Sequence, residues 1–299
     1  MLTGKKMVWT AMLLVVIMVL IAGCTQPATP AGEPAETETP SSVEEGTEAQ
    51  ERYKIGIVQI VEHPALDSAR EGFIEGLKDE GFVEGDNVVF DFKNAQGEMA
   101  TAVTICEGFV ADKVDLILAI ATPCAQAAAT ATDEIPILIT AVTDPVEAGV
   151  VKSLEEPGTN VTGTTDMNPV KEQLELIKEI NPAVQKVGVI YNSSEVNSVV
   201  QVNMAKNVAP GLGINIVEAV ATNSGEVGTA AESLVGKVDA IYLPTDNTVI
   251  SALRSVVRVA EDHDILLVPG EVESVANGGV ATLGITYKGL GYQTGLMAM

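Results

Sequence analysis

Residues 189–200 read VIYNSSEVNSVV. An apolar run ends in Asn192, Ser193, Ser194 and Glu195, and helix-like spacing starts straight after it. Small hydroxyl and amide groups at that position have two chemical uses. They cap the helix by accepting its orphan N–H groups. Alternatively, with those N–H groups at the positive helix end, they hold an anion such as a carboxylate. Other apolar runs end in the same way: Gln59 and Glu62 in QIVEHP, Thr122 before Pro123, Thr143 and Asp144 in TDP, Asp246 in PTDN, and Glu271 after Gly270. Taken singly, Thr122-Pro123 and Asp144-Pro145 are explained as a cap followed by proline in the first helical turn. Their recurrence at strand ends points to a shared site.

Residues for covalent chemistry are scarce. His63 and His263 are the only imidazoles. A thiol–imidazole pair of Cys124 and His63 is the one enzymatic arrangement available, and no third group supports it. No metal-ligand spacing, phosphate-cradling glycine loop or GxSxG occurs, so neither metal nor cofactor is expected. The formal charge is −24. That balance excludes nucleic acid, whose phosphates need Lys and Arg, and electrostatic docking on anionic lipid.

The elements that position these groups alternate in type. KIGIVQI (54–60) reads as a strand, 64–81 as a helix, 88–93 as a strand, 99–112 as a helix, 114–121 as a strand, 123–132 as a helix and 136–141 as a strand. The series then repeats: strand 186–191, helix 195–208, strand 214–219, helix 226–235, strand 238–243, helix 247–262 and strand 265–268. KVGVIY echoes KIGIVQ, and VDAIYL echoes VDLILA. Such alternation predicts parallel sheets covered on both faces. Ligands of open parallel sheets bind beyond the carboxyl ends of the strands, where the polar groups above lie. Segments 160–165 and 280–286 fit neither series and read as crossovers, and 169–180 reads as a helix opening the second lobe. The fold class is α/β, with two Rossmann-like lobes joined by a hinge. The expected divisions are 53–165 for the first lobe, 166–283 for the second, and 284–299 for a crossover and helix returning to the first.

The N-terminal part has a different character. Lys5 and Lys6 precede an apolar run of 7–22, and Ile21-Ala22-Gly23-Cys24 resembles a lipoprotein cleavage box. Residues 1–23 are expected to be a signal peptide, with Cys24 lipidated and the chain held extracytoplasmically at the cell membrane. Residues 24–52, rich in Pro, Thr, Ala and Glu, are expected to form an acidic disordered tether. Cys106 and Cys124 are expected as free thiols.

The segments VEHPALD, NAQGE, LAIATP, AVTDPVEAG, NVTGTTD, QLELIKEINP, VGVIYNSSEVNSV, VDAIYLPTDNTV and GITYKGLGYQTG resemble the extracytoplasmic substrate-binding lipoproteins of ABC importers that bind aromatic amino acids, tryptophan above all, or related small amino acids. The resemblance runs from Tyr53 to Met299. It implies a periplasmic-binding-protein fold of the first type, an amino acid held between the lobes, a membrane permease as partner and a monomeric chain. For such a ligand Ser193, Ser194 and Thr122, at helix starts, suit the carboxylate, and Asp144 or Asp246 the ammonium, because a buried carboxylate needs a partner. Asn192 and Thr143 stand at the same strand ends. Gln59 or Glu62 suits a side-chain polar group such as an indole N–H, and Glu271 sits at the hinge side or the rim. Tyr287 is the one aromatic residue expected near the cleft, and the walls are expected to be aliphatic or to be made by His63-Pro64 and the Ala-rich 122–125 segment. Relatives usually continue past YQTGLMAM, so the end at Met299 reads as a truncation. A ligand sensor feeding a membrane receptor would use the same fold and anchor.

Overall fold

The computed structural model describes residues 52–299. Two parallel sheets form the cores of two lobes. The first lobe contains β1 (Tyr53–Gln59), α1 (Pro64–Asp79), β2 (Val88–Asn94), α2 (Met99–Ala111), β3 (Leu116–Ile120), α3 (Thr122–Ala131), β4 (Ile137–Val142) and β5 (Val161–Thr165), with strand order β2-β1-β3-β4-β5. The second contains α4 (Val170–Ile180), β6 (Lys186–Tyr191), α5 (Val196–Val208), β7 (Asn215–Val220), α6 (Val227–Glu232), β8 (Ala240–Leu243), α7 (Asn247–Ser251), α8 (Leu253–Asp262) and β9 (Leu266–Pro269), in order β7-β6-β8-β9. The chain then returns, and α9 (Tyr287–Leu296) packs against α1.

Period-two alternation explains how the second sheet is covered on both faces. Val187, Val189, Ala240 and Tyr242 join one apolar cluster with Val170, Leu174 and Ile177 of α4. Ile190, Ile241 and Leu243 point the other way, into a cluster with Val249, Val256 and Val259. Fully buried parallel strands of this kind read as continuous apolar runs. The first lobe has one larger cluster that includes Ile57, Phe73, Phe109, Ile117 and Leu118.

Three segments differ from the sequence expectations. The crossover expected at 160–165 is β5, which pairs in parallel with β4 and completes the first sheet. The helix expected over 247–262 is broken at Ala252 (φ −113°, ψ 20°) into α7 and α8. Segment 280–286 carries no ladder, although the Val280 N–H donates to the Leu267 carbonyl. The expected signal peptide, lipidated Cys24 and most of the tether lie outside the described residues.

Candidate functional site

Each sheet reverses its winding between its first and third strands, β1 and β3 in one lobe, β6 and β8 in the other. Crevices form beyond the carboxyl ends at such points. The two crevices face each other across one cavity of about 490 Å³, within the roughly 300–1,000 Å³ usual for small-molecule sites. Ile60, Val61, Gln96, Glu98 and Pro123 line it from the first lobe, and Asn192, Ser194, Glu195, Asn223 and Asn247 from the second. Its apolar wall includes Ile60, Val61, Met99 and Val196. Among the described residues, Glu98 and Glu195 are the only charged ones that line it. Met99, Pro123 and Val196 stand in the first turns of α2, α3 and α5, so three positive helix ends converge where no cationic side chain lies.

Local strain accompanies this arrangement. Gln96 (φ 56°), Ala121 (φ 80°) and Ala141 (φ 56°) hold left-handed backbone without being glycine, and each stands at or just beyond the carboxyl end of a strand. Such conformations persist where surrounding contacts over-determine them. At Gln96 two bonds do so: its N–H donates to Asn94 Oδ1 at 2.7 Å, and the Gly97 N–H donates to the Ile60 carbonyl at 2.6 Å.

Glu195 organises the second lobe's wall. Its carboxylate accepts the N–H groups of Asn247 (3.0 Å) and Thr248 (3.0 Å), the Asn247 amide (2.6 Å), the Thr248 hydroxyl (2.7 Å) and the Asn197 amide (3.1 Å). It thereby caps α7 from the start of α5. Asn192 donates from Nδ2 to Thr248 Oγ1 and accepts from the Ser194 N–H and hydroxyl. Ser194 is exposed and lines the cavity, while Ser193 is exposed outside it.

Several expected site residues sit elsewhere. Asp246 is fully buried inside its own lobe and accepts from the Asn192 N–H (2.6 Å), the Ser198 hydroxyl (2.6 Å) and the Val249 N–H (2.8 Å). Burial, with the charge of Glu195 nearby, pushes its carboxyl up to about 7. With these three donors it braces β6, α5 and α7 and lines no described cavity. Gln59 is equally buried, bonded to Asp67, Arg70 and the Val61 carbonyl. Asp144 accepts from the Val146 and Glu147 N–H groups, a local cap. Thr122 is buried with its hydroxyl unpartnered at the start of α3.

A second, much smaller pocket of about 10 Å³ lies at the lobe junction. Thr143 enters it from the end of β4, Glu271 from beyond β9, and Tyr287 from the start of α9. Thr143 Oγ1 donates to Asp166 Oδ1 (2.9 Å) and lies 3.4 Å from Thr245 Oγ1 of the facing lobe. The Tyr287 hydroxyl donates to Asp166 Oδ2 at 2.5 Å. Burial raises the Asp166 carboxyl from its ordinary value, against the pull of both hydroxyls. Glu271 is pushed up to about 7, chiefly by burial. Glu62 lies on the rim of a neighbouring cavity of about 250 Å³ shared with His63, Arg254 and Glu271.

Sequence reasoning passed over Gln96, Glu98, Asp166 and Asn223, and gave no role to Glu195 and Asn247 at the strand ends it named. The strand-end rule that found Thr143 and Asn192, applied to β2 and β7, reaches Gln96, Glu98 and Asn223. Cys106 and Cys124 are free and buried, as expected. Burial holds the Cys124 thiol well above its ordinary range, so the thiol–imidazole pair has no accessible thiolate. Among the described residues no group of three or more His, Cys, Asp or Glu is placed to hold a metal, and no helix is long and apolar enough to cross a membrane.

Comparison with known proteins places this geometry. The sequence profile of the ABC transporter substrate binding protein family matches residues 54–299. A tyrosine-binding protein of Clostridioides difficile is 49% identical over 253 residues, 85% of this chain and 73% of that protein. A Streptococcus pneumonia ABC domain solved in complex with L-Trp is 38% identical, with TM-score 0.80 over 83% of each chain. A ligand-free, open substrate-binding protein from Clostridium difficile is 51% identical, yet its TM-score is 0.61 over 82% of this chain and 83% of that one. The more identical relative is thus the less similar in shape. Solute-binding proteins of much lower identity share the two-lobed fold, periplasmic-binding-protein type I.

Proposed function

The chain belongs to the ABC transporter substrate-binding protein family, and on that premise we propose that it captures a free aromatic amino acid, tyrosine or tryptophan, in the 490 Å³ cleft. The observation that carries this reading is the composition of the cleft. An aliphatic wall of Ile60, Val61, Met99 and Val196 suits a ring. Three positive helix ends with Ser194 suit a carboxylate without a cationic side chain. Glu195 and Glu98 supply negative charge for an ammonium. Thr122, with its unpartnered hydroxyl at the start of α3, is a further carboxylate donor. Asp166 and Glu271 are the carboxylates that line the junction pocket. Asp144 and Asp246 act through the backbone they brace.

Capture proceeds without chemistry. The ligand bridges the lobes, its differential affinity for the closed arrangement shifts the population, and the closed form docks on a membrane permease. Proteins of this family work outside the cytoplasm. We place this chain there as a monomer tethered through a lipid on Cys24.

Calorimetric titration of the full chain with all free amino acids tests the reading. Tyrosine or tryptophan is expected to bind tightest. At 100 times its dissociation constant the ligand should add about 2.7 kcal/mol of stability. Ser194→Ala is expected to weaken binding roughly fivefold to tenfold by removing one hydrogen-bond partner. Preference for a small polar or basic amino acid would refute the aromatic assignment.

A further inference from the structure

Most of the first lobe's wall of the cleft is carried by two loops, 60–63 after β1 and 95–98 after β2. They supply Ile60, Val61, Gln96 and Glu98. Neither loop belongs to a helix or a strand, so neither has a regular ladder to hold it. What fixes them lies behind the wall, around Arg70 of α1. The Arg70 guanidinium donates to Gln59 Oε1 at 2.8 Å, lies 3.4 Å from Asp67 Oδ1, and stacks on the Phe92 ring of β2 at 4.1 Å from its centroid. Gln59 gives its amide hydrogens to Asp67 Oδ1 (2.8 Å) and to the Val61 carbonyl (2.9 Å).

These bonds allow one orientation of the Gln59 amide. Arginine only donates and a carboxylate only accepts, so Arg70 and Asp67 together turn Oε1 to the guanidinium and Nε2 to the Val61 carbonyl. The neighbouring carbonyl, that of Ile60, accepts the Gly97 N–H at 2.6 Å, and the Gln96 N–H donates to Asn94 Oδ1 at 2.7 Å. The constraint on the first loop is thereby passed to the second. The Arg70 side chain is 21% exposed and lines none of the cavities described above.

We propose that Arg70 is a positioning residue for ligand capture. Without touching the ligand it sets Gln59, through Gln59 it sets the Val61 carbonyl, and it so holds both loops in their binding form before the ligand arrives. The proposal rests on the reading of the cleft as the ligand site. Loops that must order on binding lower affinity through lost conformational entropy, and loops already held do not. Lysine offers a compact charge in place of a planar fork. It cannot stack on Phe92 while it spans Gln59 and Asp67.

The test uses the full chain with Arg70→Lys and Gln59→Glu. The second variant keeps an acceptor for Arg70 but puts a carboxylate oxygen against the Val61 carbonyl. Val256→Ala, a truncation in the core of the other lobe, controls for loss of stability alone. In the unliganded chain, hydrogen exchange at the Gly97 amide and across 60–63 is expected to quicken roughly tenfold in both variants, with the second lobe unchanged. Dissociation constants for L-tyrosine and L-tryptophan are expected to rise roughly fivefold to twentyfold. Val256→Ala should lower the melting temperature and leave the exchange of these loops and both affinities as in wild type. Should Gln59→Glu fail to fold, Phe92→Leu, which removes the stacking face alone, is expected to change both readouts in the same direction. Wild-type affinity in the variants overturns the proposal, as does an affinity loss that Val256→Ala reproduces. Exchange that quickens evenly over both lobes overturns it too. If neither amino acid binds the wild-type chain, the functional reading fails on its own account. Exchange then decides: faster exchange confined to 60–63 and Gly97 supports the positioning role, and unchanged exchange refutes it.

Discussion

At the scale of single residues, burial separates the acids that organise the site from those that decorate it. Glu195 holds five donors from α5 and α7. Glu195→Ala would strand the Asn247 and Thr248 N–H groups in a largely buried setting. We expect a loss of roughly 2–4 kcal/mol in urea unfolding, together with lost ligand binding. Glu62 is exposed at a rim, so Glu62→Ala should stay within about 0.5 kcal/mol of wild type. Both residues are single glutamates at strand ends in the sequence. Nothing in their local context distinguishes them, because Glu195 acquires its partners from residues about fifty positions away.

At the scale of elements, the α1–α9 crossing shows how the return segment is held. A Cβ on Gly291 would lie 1.8 Å from the Ala69 carbonyl oxygen, and one on Gly72 would lie 2.0 Å from that of Lys288. The two backbones approach as only glycine allows. Gly291→Ala should cost at least about 3 kcal/mol, since the clash is with backbone and cannot be relieved by a rotamer change. Gly108 lies on the exposed side of α2, and a methyl group added there would meet nothing within 4 Å. Gly108→Ala should therefore add about 0.5–1 kcal/mol. Thermal unfolding of both variants reads the contrast. The helix spans were legible from apolar periodicity. The break at Ala252 was not, because the apolar spacing of 247–262 runs on through it.

At the scale of the whole molecule, Thr143 of one lobe meets Thr245 of the other, beside the cleft proposed as the ligand site. Adding a binding amino acid should therefore hold the lobes in this contact. Small-angle scattering is expected to show a smaller radius of gyration with saturating tyrosine than without it. An unchanged radius on saturation would refute ligand-driven closure.

By itself the sequence determined the parallel α/β sheets, the repeat of one lobe in the other and the end of each sheet where polar groups gather. These follow from local periodicity and strand-end composition, which need no distant partner. Only the tertiary structure decided which of those polar groups reach the cleft. Gln59 and Asp246 turn inward because donors from Arg70 and from Asn192, Ser198 and Val249 satisfy them there. Asp166 is held by Thr143 and Tyr287, and Asn247 by Glu195, partners from about twenty to a hundred and twenty positions away. The meeting of the two lobes brings Thr143 to Thr245 and sets His63 and Asn247 around one pocket, pairs more than a hundred positions apart in sequence. Contacts at such separation leave no local pattern to read.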